Sequence, residues 1–417
     1  MSLLFSEYQL QSPQGPLRLP NRVVVAPMCQ YSAHEGEASD WHLMHWGNLL
    51  NSGAGLFMIE ATAVSPEGRI TPYCLGLWDQ KTQTALEDKL VRARKLAPQT
   101  SVFIQLAHAG RKASSAAPWQ GGQILPSENG GWETQAPSAI PQLEGERTPH
   151  QLSTAEMQAI IQNFVESAHR AKKIGIDGIE LHAAHGYLLH QFLSPIANQR
   201  QDQYGGSLEN RIRFVLELFS AVRKEWGGVL GVRLSASDWL EHGWSLSDSV
   251  ELTLRLKQLG CDYIHVSSGG ISPKQQIKLG PNYQVPFAKE IKQKTGMTTM
   301  AVGLITEKDQ RGAIAGYRLV MSAIDQFPGF LATCESSGAD LKGLEKFFAE
   351  FIHPIDVVKR VTHNVIHGLP GLTKNVLQAR ANLKQEDYFD FGMEIGQIVV
   401  ALTEPIPAPV SVEAFLQ

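Results

Sequence analysis

Cysteine is scarce in this chain: Cys29, Cys74, Cys261 and Cys334 are scattered over 417 residues and form no Cys-x-x-Cys pair. The scatter argues against an iron–sulfur cluster or a zinc site and fits a reducing compartment. Charge of one sign is lacking too. The formal net charge is -4 with no basic block, so neither nucleic acid nor a membrane surface is an expected partner. No apolar run is long enough to span a bilayer. The start, Met-Ser-Leu-Leu-Phe-Ser-Glu, has no basic n-region and no long apolar stretch, so it does not read as a signal peptide and a cytoplasmic location is expected. No Gly-x-Gly-x-x-Gly follows an apolar run, so no separate dinucleotide-binding domain is expected.

What is present is an ordinary soluble composition, 43% hydrophobic and 19% charged, with ample material for a core. Short apolar runs recur at Arg22–Met28, Gly55–Val64, Ser101–His108, Asp177–Ala183, Val229–Ser235, Tyr263–Ser268 and Thr298–Ile305. Several are nearly continuous in apolar residues, as parallel strands covered on both faces should be. Between them lie helix candidates. Thr154–Ile174 starts with the capping-box order Ser153-Thr154-Ala155-Glu156, and Glu209–Trp226 and Ser247–Gly260 follow, the last closed by a glycine. Seven βα units in series predict an α/β fold, a (β/α)8 TIM barrel with one unit still to find. Chemistry in such barrels sits at the strand ends, where Cys29, Tyr31, Glu60, Gln105, His108, His182, His185, Arg233 and Ser267–Gly270 all gather. Ala113–His150, rich in Pro, Gly, Ser and Gln, is too long for a simple βα loop and reads as a lid or hairpin over the mouth, or as surface decoration.

The most informative stretch is Gly178-Ile-Glu-Leu-His182-Ala-Ala-His185-Gly-Tyr187. A strand ending in His-x-x-His-x-Tyr sends several donors into one small volume. That suits holding a carbonyl or anionic oxygen while a phenol delivers a proton; a plain pair of hydrogen-bonded loop histidines is the alternative.

With its neighbours this stretch resembles the old yellow enzyme family of flavin-dependent ene-reductases. The resemblance is carried by Asn21-Arg22, Ala26-Pro27-Met28-Cys29-Gln30-Tyr31, Glu60-Ala61-Thr62-Ala63-Val64, Gln105-Leu-Ala-His108-Ala-Gly110-Arg111, His182-Ala-Ala-His185-Gly-Tyr187, Asp202-Gln-Tyr204-Gly205-Gly206, Val232-Arg233, Ser268-Gly269-Gly270 and Val302-Gly303. These occur in the family's order over roughly residues 3–308. Cys29 with Tyr31 is similar to the bacterial subgroup that keeps a cysteine beside the flavin. The resemblance implies tightly bound, non-covalent FMN with NAD(P)H as reductant, and it places Ala26, Pro27, Met28, Cys29, Ala61, Gln105, Arg233 and Gly303 at the cofactor. It implies that His182 and His185 donate to a substrate carbonyl, that Tyr31 adds a contact, and that Tyr187 protonates the α-carbon. The implied substrate is a small enone, enal or similar electron-poor alkene, reduced in a ping-pong cycle; a homo-oligomer is compatible with it.

After about residue 310 the pattern changes. The family's eighth strand and its Gly-Arg phosphate grip are not recognisable; Leu319–Ile324 is a candidate strand, and Arg311 and Arg318 are candidate substitutes. The expected organisation is a barrel over 1–310, an atypical closing segment or linker over 311–338, and an α-helical segment over 339–417 that is a candidate for binding a protein partner. His353, His363 and His367 lack a ligand set at helical spacing, so no metal is expected. The competing readings are a catalytically impaired or flavin-free barrel scaffold fused to that helical segment, and a flavin-free aldolase-like barrel. The absence of a Schiff-base lysine at a clear strand end speaks against the latter.

Overall fold

The computed structural model of the chain describes residues 3–95 and 97–305. The expectations for 311–338 and 339–417, with Arg311, Arg318, His353, His363 and His367, lie outside the described residues.

Two short strands, β1 (Tyr8–Leu10) and β2 (Leu17–Leu19), form an antiparallel hairpin. The chain continues through β3 (Val24–Val25), α1 (Asp40–Leu50), β4 (Leu56–Ala63), α2 (Gln80–Arg94), β5 (Ser101–Ala107), β6 (Gln135–Ala136), β7 (His150–Gln151) and α3 (Thr154–Lys173). Then come β8 (Gly178–Ala183), α4 (Leu188–Leu193), α5 (Leu208–Glu225), β9 (Val229–Ser235), α6 (Leu246–Gln258), β10 (Tyr263–Ser267), α7 (Val285–Thr295) and β11 (Thr299–Ala301). Seven strands make one parallel sheet in the order β3-β4-β5-β8-β9-β10-β11, with a helix in each connection. This is the (β/α)8 TIM barrel, of which the described residues hold seven strands.

Local chemistry explains the boundaries. Ser153 Oγ accepts from the Glu156 N–H and Glu156 Oε2 accepts from the Ser153 N–H at 2.7 Å, which closes the expected capping box of α3. The helix then buries Met157, Ile160, Ile161, Phe164, Val165, Ala168 and Ala171 along one face. Cutting Phe164 to Ala there would cost about 3–5 kcal/mol. Gly260, at φ +84°, ends the turn after α6 as expected.

Two expected strands are shorter than their apolar runs. β3 stops at Val25 because the chain turns off ahead of Pro27, which has no N–H for a ladder, and Tyr31 lies at φ +50°. β11 stops at Ala301, before the left-handed Gly303 (φ +99°) and Leu304 (φ +45°). Within 113–150 the chain doubles back once, with Ser115 and Ile124 paired antiparallel, and further on β6 and β7 pair parallel, Gln135 with His150. Among the described residues no helix is long and apolar enough to cross a membrane.

The barrel interior changes character from bottom to top. Leu56, Met58, Phe103, Val229 and Tyr263, near the strand starts, pack with Leu10 and Leu19 of the β1–β2 hairpin, which plugs that end. Polar side chains fill the next layers up.

Candidate active site

Strand register stacks the polar residues. Ala61, Gln105, Glu180, Gly231 and Tyr263 are in register across β4, β5, β8, β9 and β10. Two residues further along, His182, Arg233 and His265 are in register on β8, β9 and β10. Side chains two apart on a strand share a face, so the second row sits directly above the first.

In the lower row Glu180, fully buried, accepts from Gln105 Nε2 at 2.7 Å and from the Tyr263 hydroxyl at 3.2 Å, and contacts His265 Nδ1 at 3.0 Å. Gly231 makes this possible: a Cβ there would lie 2.3 Å from the Tyr263 ring, which must cross β9 to reach Glu180. Burial works against the carboxylate, but His265, Arg233 and Gln105 outweigh it and hold Glu180 below its usual range. Above it, Arg233 is 7% exposed, its Nε has no partner, and among the described residues it forms no ion pair. Burial lowers its pKa, with Glu180 the largest opposing charge. A buried guanidinium in that condition calls for a partner from outside the chain.

The turn after β8 is built to be rigid. His185 sits at φ +59° and its N–H donates to Ser235 Oγ at 3.0 Å, which in turn donates to Gly269 O at 2.8 Å. Gly186, at φ +76°, passes so close to Gly270 that a Cβ would lie 2.1 Å from its carbonyl oxygen. The Gly186 N–H donates to His190 Nδ1 at 2.9 Å, so Nε2 carries the proton that faces Asp238 Oδ1 at 2.9 Å. The His182 ring lies edge-on to both the His185 and Tyr187 rings, with centroids 5.1 and 5.0 Å apart. Burial, then the charge of Arg233, push both imidazoles well below their ordinary range. Both are therefore neutral donors at neutral pH. Burial likewise pushes the Tyr187 phenol well up, keeping its proton on. His182 Nδ1 is buried without a partner, whereas His185 Nε2 lies 2.7 Å from Ser267 Oγ.

The structure thus brings His182, His185, Tyr187, Arg233, Gln105 and Ala61 together on one barrel end. Cys29 is half-buried, and burial pushes its thiol well up. The carboxylate of Glu60, set on an irregularity in β4, accepts from the Gln30 N–H at 2.7 Å and so pins the loop that carries Cys29 and Tyr31. Ala26 and Pro27 are half-buried there and Met28 is 51% exposed. Tyr31 meets Trp119, from the 113–150 excursion, edge-on at 5.5 Å, so that excursion does reach the mouth. Gly303 lies beyond β11, where a Cβ would strike Gln284 Nε2.

Several participants were not expected from the sequence. Lys112, half-buried, donates from Nζ to His185 O at 2.9 Å and Gly270 O at 3.2 Å, with Nζ 5.1 Å from the Tyr187 ring centre. A lysine therefore stands at the mouth, though not at a strand end: it lies five residues past Ala107, and its ammonium is tied to two carbonyls, as a staple rather than a free nucleophile. The signal available was its position directly after the Gln105–Arg111 run. Roles for Glu180 and the His190–Asp238 pair were also missed, although an acid inside an apolar strand is itself a signal.

Residues 13–320 match the NADH:flavin oxidoreductase / NADH oxidase family, which carries the likeness past residue 308. An NADH:flavin oxidoreductase from Gibberella zeae is 45% identical over 304 residues, covering 68% of this chain and 73% of the relative. An NADPH dehydrogenase from Geobacillus thermodenitrificans is 43% identical over 307 residues, covering 73% and 84%. Among solved structures, morphinone reductase in complex with tetrahydroNAD is similar at TM-score 0.58 and 28% identity, over 74% of this chain and 82% of that one.

Proposed function

Starting from the NADH:flavin oxidoreductase / NADH oxidase family, to which this chain belongs, we propose that it reduces the activated C=C bond of α,β-unsaturated carbonyl compounds. It is a flavin-dependent oxidoreductase of the old yellow enzyme type, working with FMN and NAD(P)H. The residues fit the cofactor. Arg233 is a buried cation without an ion pair among the described residues, suited to the edge of the flavin that gathers negative charge. Gln105 has its Nε2 committed to Glu180, leaving Oε1 for an outside donor. Ala61, opposite Gln105 in register, leaves room for a flat ring. Ala26, Pro27, Met28, Cys29 and Gly303 would complete the cofactor's surroundings.

The chemistry supplied by bound FMN is hydride acceptance from NAD(P)H and hydride delivery to the β-carbon of the alkene. The chain's own groups do the rest. His182, with Nδ1 unpartnered, would hold the substrate's carbonyl oxygen and draw electron density from the double bond. His185 would supply a second donor, poised by Ser267, and Tyr31 would line the same space. Tyr187, neutral and edge-on to His182, would give its proton to the α-carbon. The carrying observation is this convergence of an unpartnered imidazole nitrogen, a second imidazole and a phenol beside an arginine that forms no ion pair among the described residues.

The test is the visible spectrum of the purified protein without oxygen, on adding NADPH and then 2-cyclohexenone. Yellow protein that bleaches and then recovers supports the reading. Recovery with oxygen but not with any enone or enal would remove the ene-reductase assignment. Colourless protein that takes up no FMN would leave the barrel as a scaffold.

A further inference from the structure

Glu180 has no role in the proton and oxygen chemistry above, yet it is fully buried and holds three partners. Its three partners come from three other strand positions: Gln105 on β5, Tyr263 and His265 on β10. Gly231 is emptied of a side chain so that one of them can reach it. Such a set fills three of the roughly four acceptor positions of a carboxylate, and it places one fixed negative charge a row beneath Arg233. Successive rows on a strand face are separated by about 6.6 Å. No ion pair joins Glu180 to Arg233, so the two charges act on each other through space and the guanidinium stays free above.

We propose that Glu180 is a positioning residue for the cofactor end of the site: it fixes the Gln105 amide with Oε1 outward, offsets the charge of Arg233, and so sets how readily flavin in this pocket is reduced. This rests on the flavin-binding part of the proposed function. Reduction adds negative charge beside Arg233, and a carboxylate one row below opposes that addition. Replacing it by an uncharged group of the same shape makes reduction easier. At an effective dielectric of about 20, a unit charge within roughly 10 Å shifts such an equilibrium by about tenfold or more.

The experiment is the midpoint potential of FMN in the intact protein, measured against a reference dye for the wild type, E180Q and E180D, with FMN affinity from fluorescence quenching. E180Q is expected to raise the reduced-to-oxidised ratio at fixed potential about tenfold, which is about 30 mV for a two-electron couple. E180D keeps the charge but shortens the reach to Gln105, so its potential stays at the wild-type value while FMN affinity falls several-fold. An unmoved potential in E180Q overturns the proposal, as does an equal rise in E180Q and E180D, which would mark a packing role. Should E180Q not fold, E180D alone decides: a shifted potential there overturns the proposal, and a fixed potential with weakened FMN supports it. A wild type that binds no FMN fails the proposed function instead, so the two failures are separable.

Discussion

Lys112 Nζ lies 5.1 Å from the centre of the Tyr187 ring while it donates to the carbonyl oxygen of His185 at 2.9 Å. One side chain therefore faces the proposed acid and also holds the turn that carries the second histidine. Burial, with the neighbouring charge of Arg111, pushes the ammonium down to about 8 from 10.5. The sign follows directly. Between these two values the unfolded chain binds more protons than the folded one, so this group's contribution to stability rises with pH across that window and is flat below about 8. K112M lacks the titration. Denaturant unfolding at several pH values is expected to show the wild type gaining on K112M from about pH 8 upward; parallel curves would contradict it.

The His190–Asp238 pair predicts the opposite acid-side behaviour. Asp238 is buried, which alone would raise its pKa, but His190, the Ser194 hydroxyl at 2.6 Å and the Trp244 N–H at 2.7 Å hold it below the ordinary 3.8. Its stabilisation is present above that ordinary value and is lost as pH falls through the depressed one. D238N leaves His190 and the Gly186 turn without a charged partner and should cost about 3–5 kcal/mol at neutral pH. The gap between wild type and D238N should narrow only in strong acid, as melting curves would show.

Much of this site could be read from residue order, and what could not depends on register. The apolar runs gave β4, β5, β8, β9 and β10 nearly to the residue, because fully buried parallel strands must be apolar on both faces. His182, His185 and Tyr187 were visible because local spacing alone brings them together. Lys112 was not, since its place is fixed by carbonyls from two other strand-end loops, residues 185 and 270. Nor was the Glu180 cluster, which needs Gly231 opposite Tyr263 on a neighbouring strand. The parallel pairing of β6 with β7 was hidden for a similar reason: nothing local says whether two distant dipeptides pair parallel or antiparallel.

Ser267 should matter through His185 alone. Its hydroxyl lies 2.7 Å from Nε2 and donates there, since Gln284 Oε1, 3.3 Å away, already accepts from Ser268 Oγ at 2.6 Å; the imidazole proton is thereby kept on Nδ1 for the substrate oxygen. One such hydrogen bond is worth about 1 kcal/mol. S267A is therefore expected to lower kcat/KM for 2-cyclohexenone about fivefold with flavin content unchanged. Steady-state kinetics beside the flavin absorbance check this, and an unaltered kcat/KM would mean that Ser267 does not orient the ring.

Tyr187 gives the sharpest separation of steps. Y187F keeps the ring against His182 and under Lys112 and removes only the proton donor. Reduction by NADPH needs no proton from this phenol, so bleaching of the flavin should proceed at the wild-type rate. Reoxidation by 2-cyclohexenone does need one, and loss of a positioned acid slows such a step by about 10²–10⁴-fold. Stopped-flow absorbance resolves the two half-reactions. Because burial raises this phenol well above its ordinary value of 10.0, the wild-type reoxidation rate should show no decline from phenol ionisation at or below pH 10. Equal slowing of both half-reactions would point to a displaced cofactor and away from Tyr187 as the acid; an unslowed reoxidation would hand the proton to water or to a different side chain at the mouth.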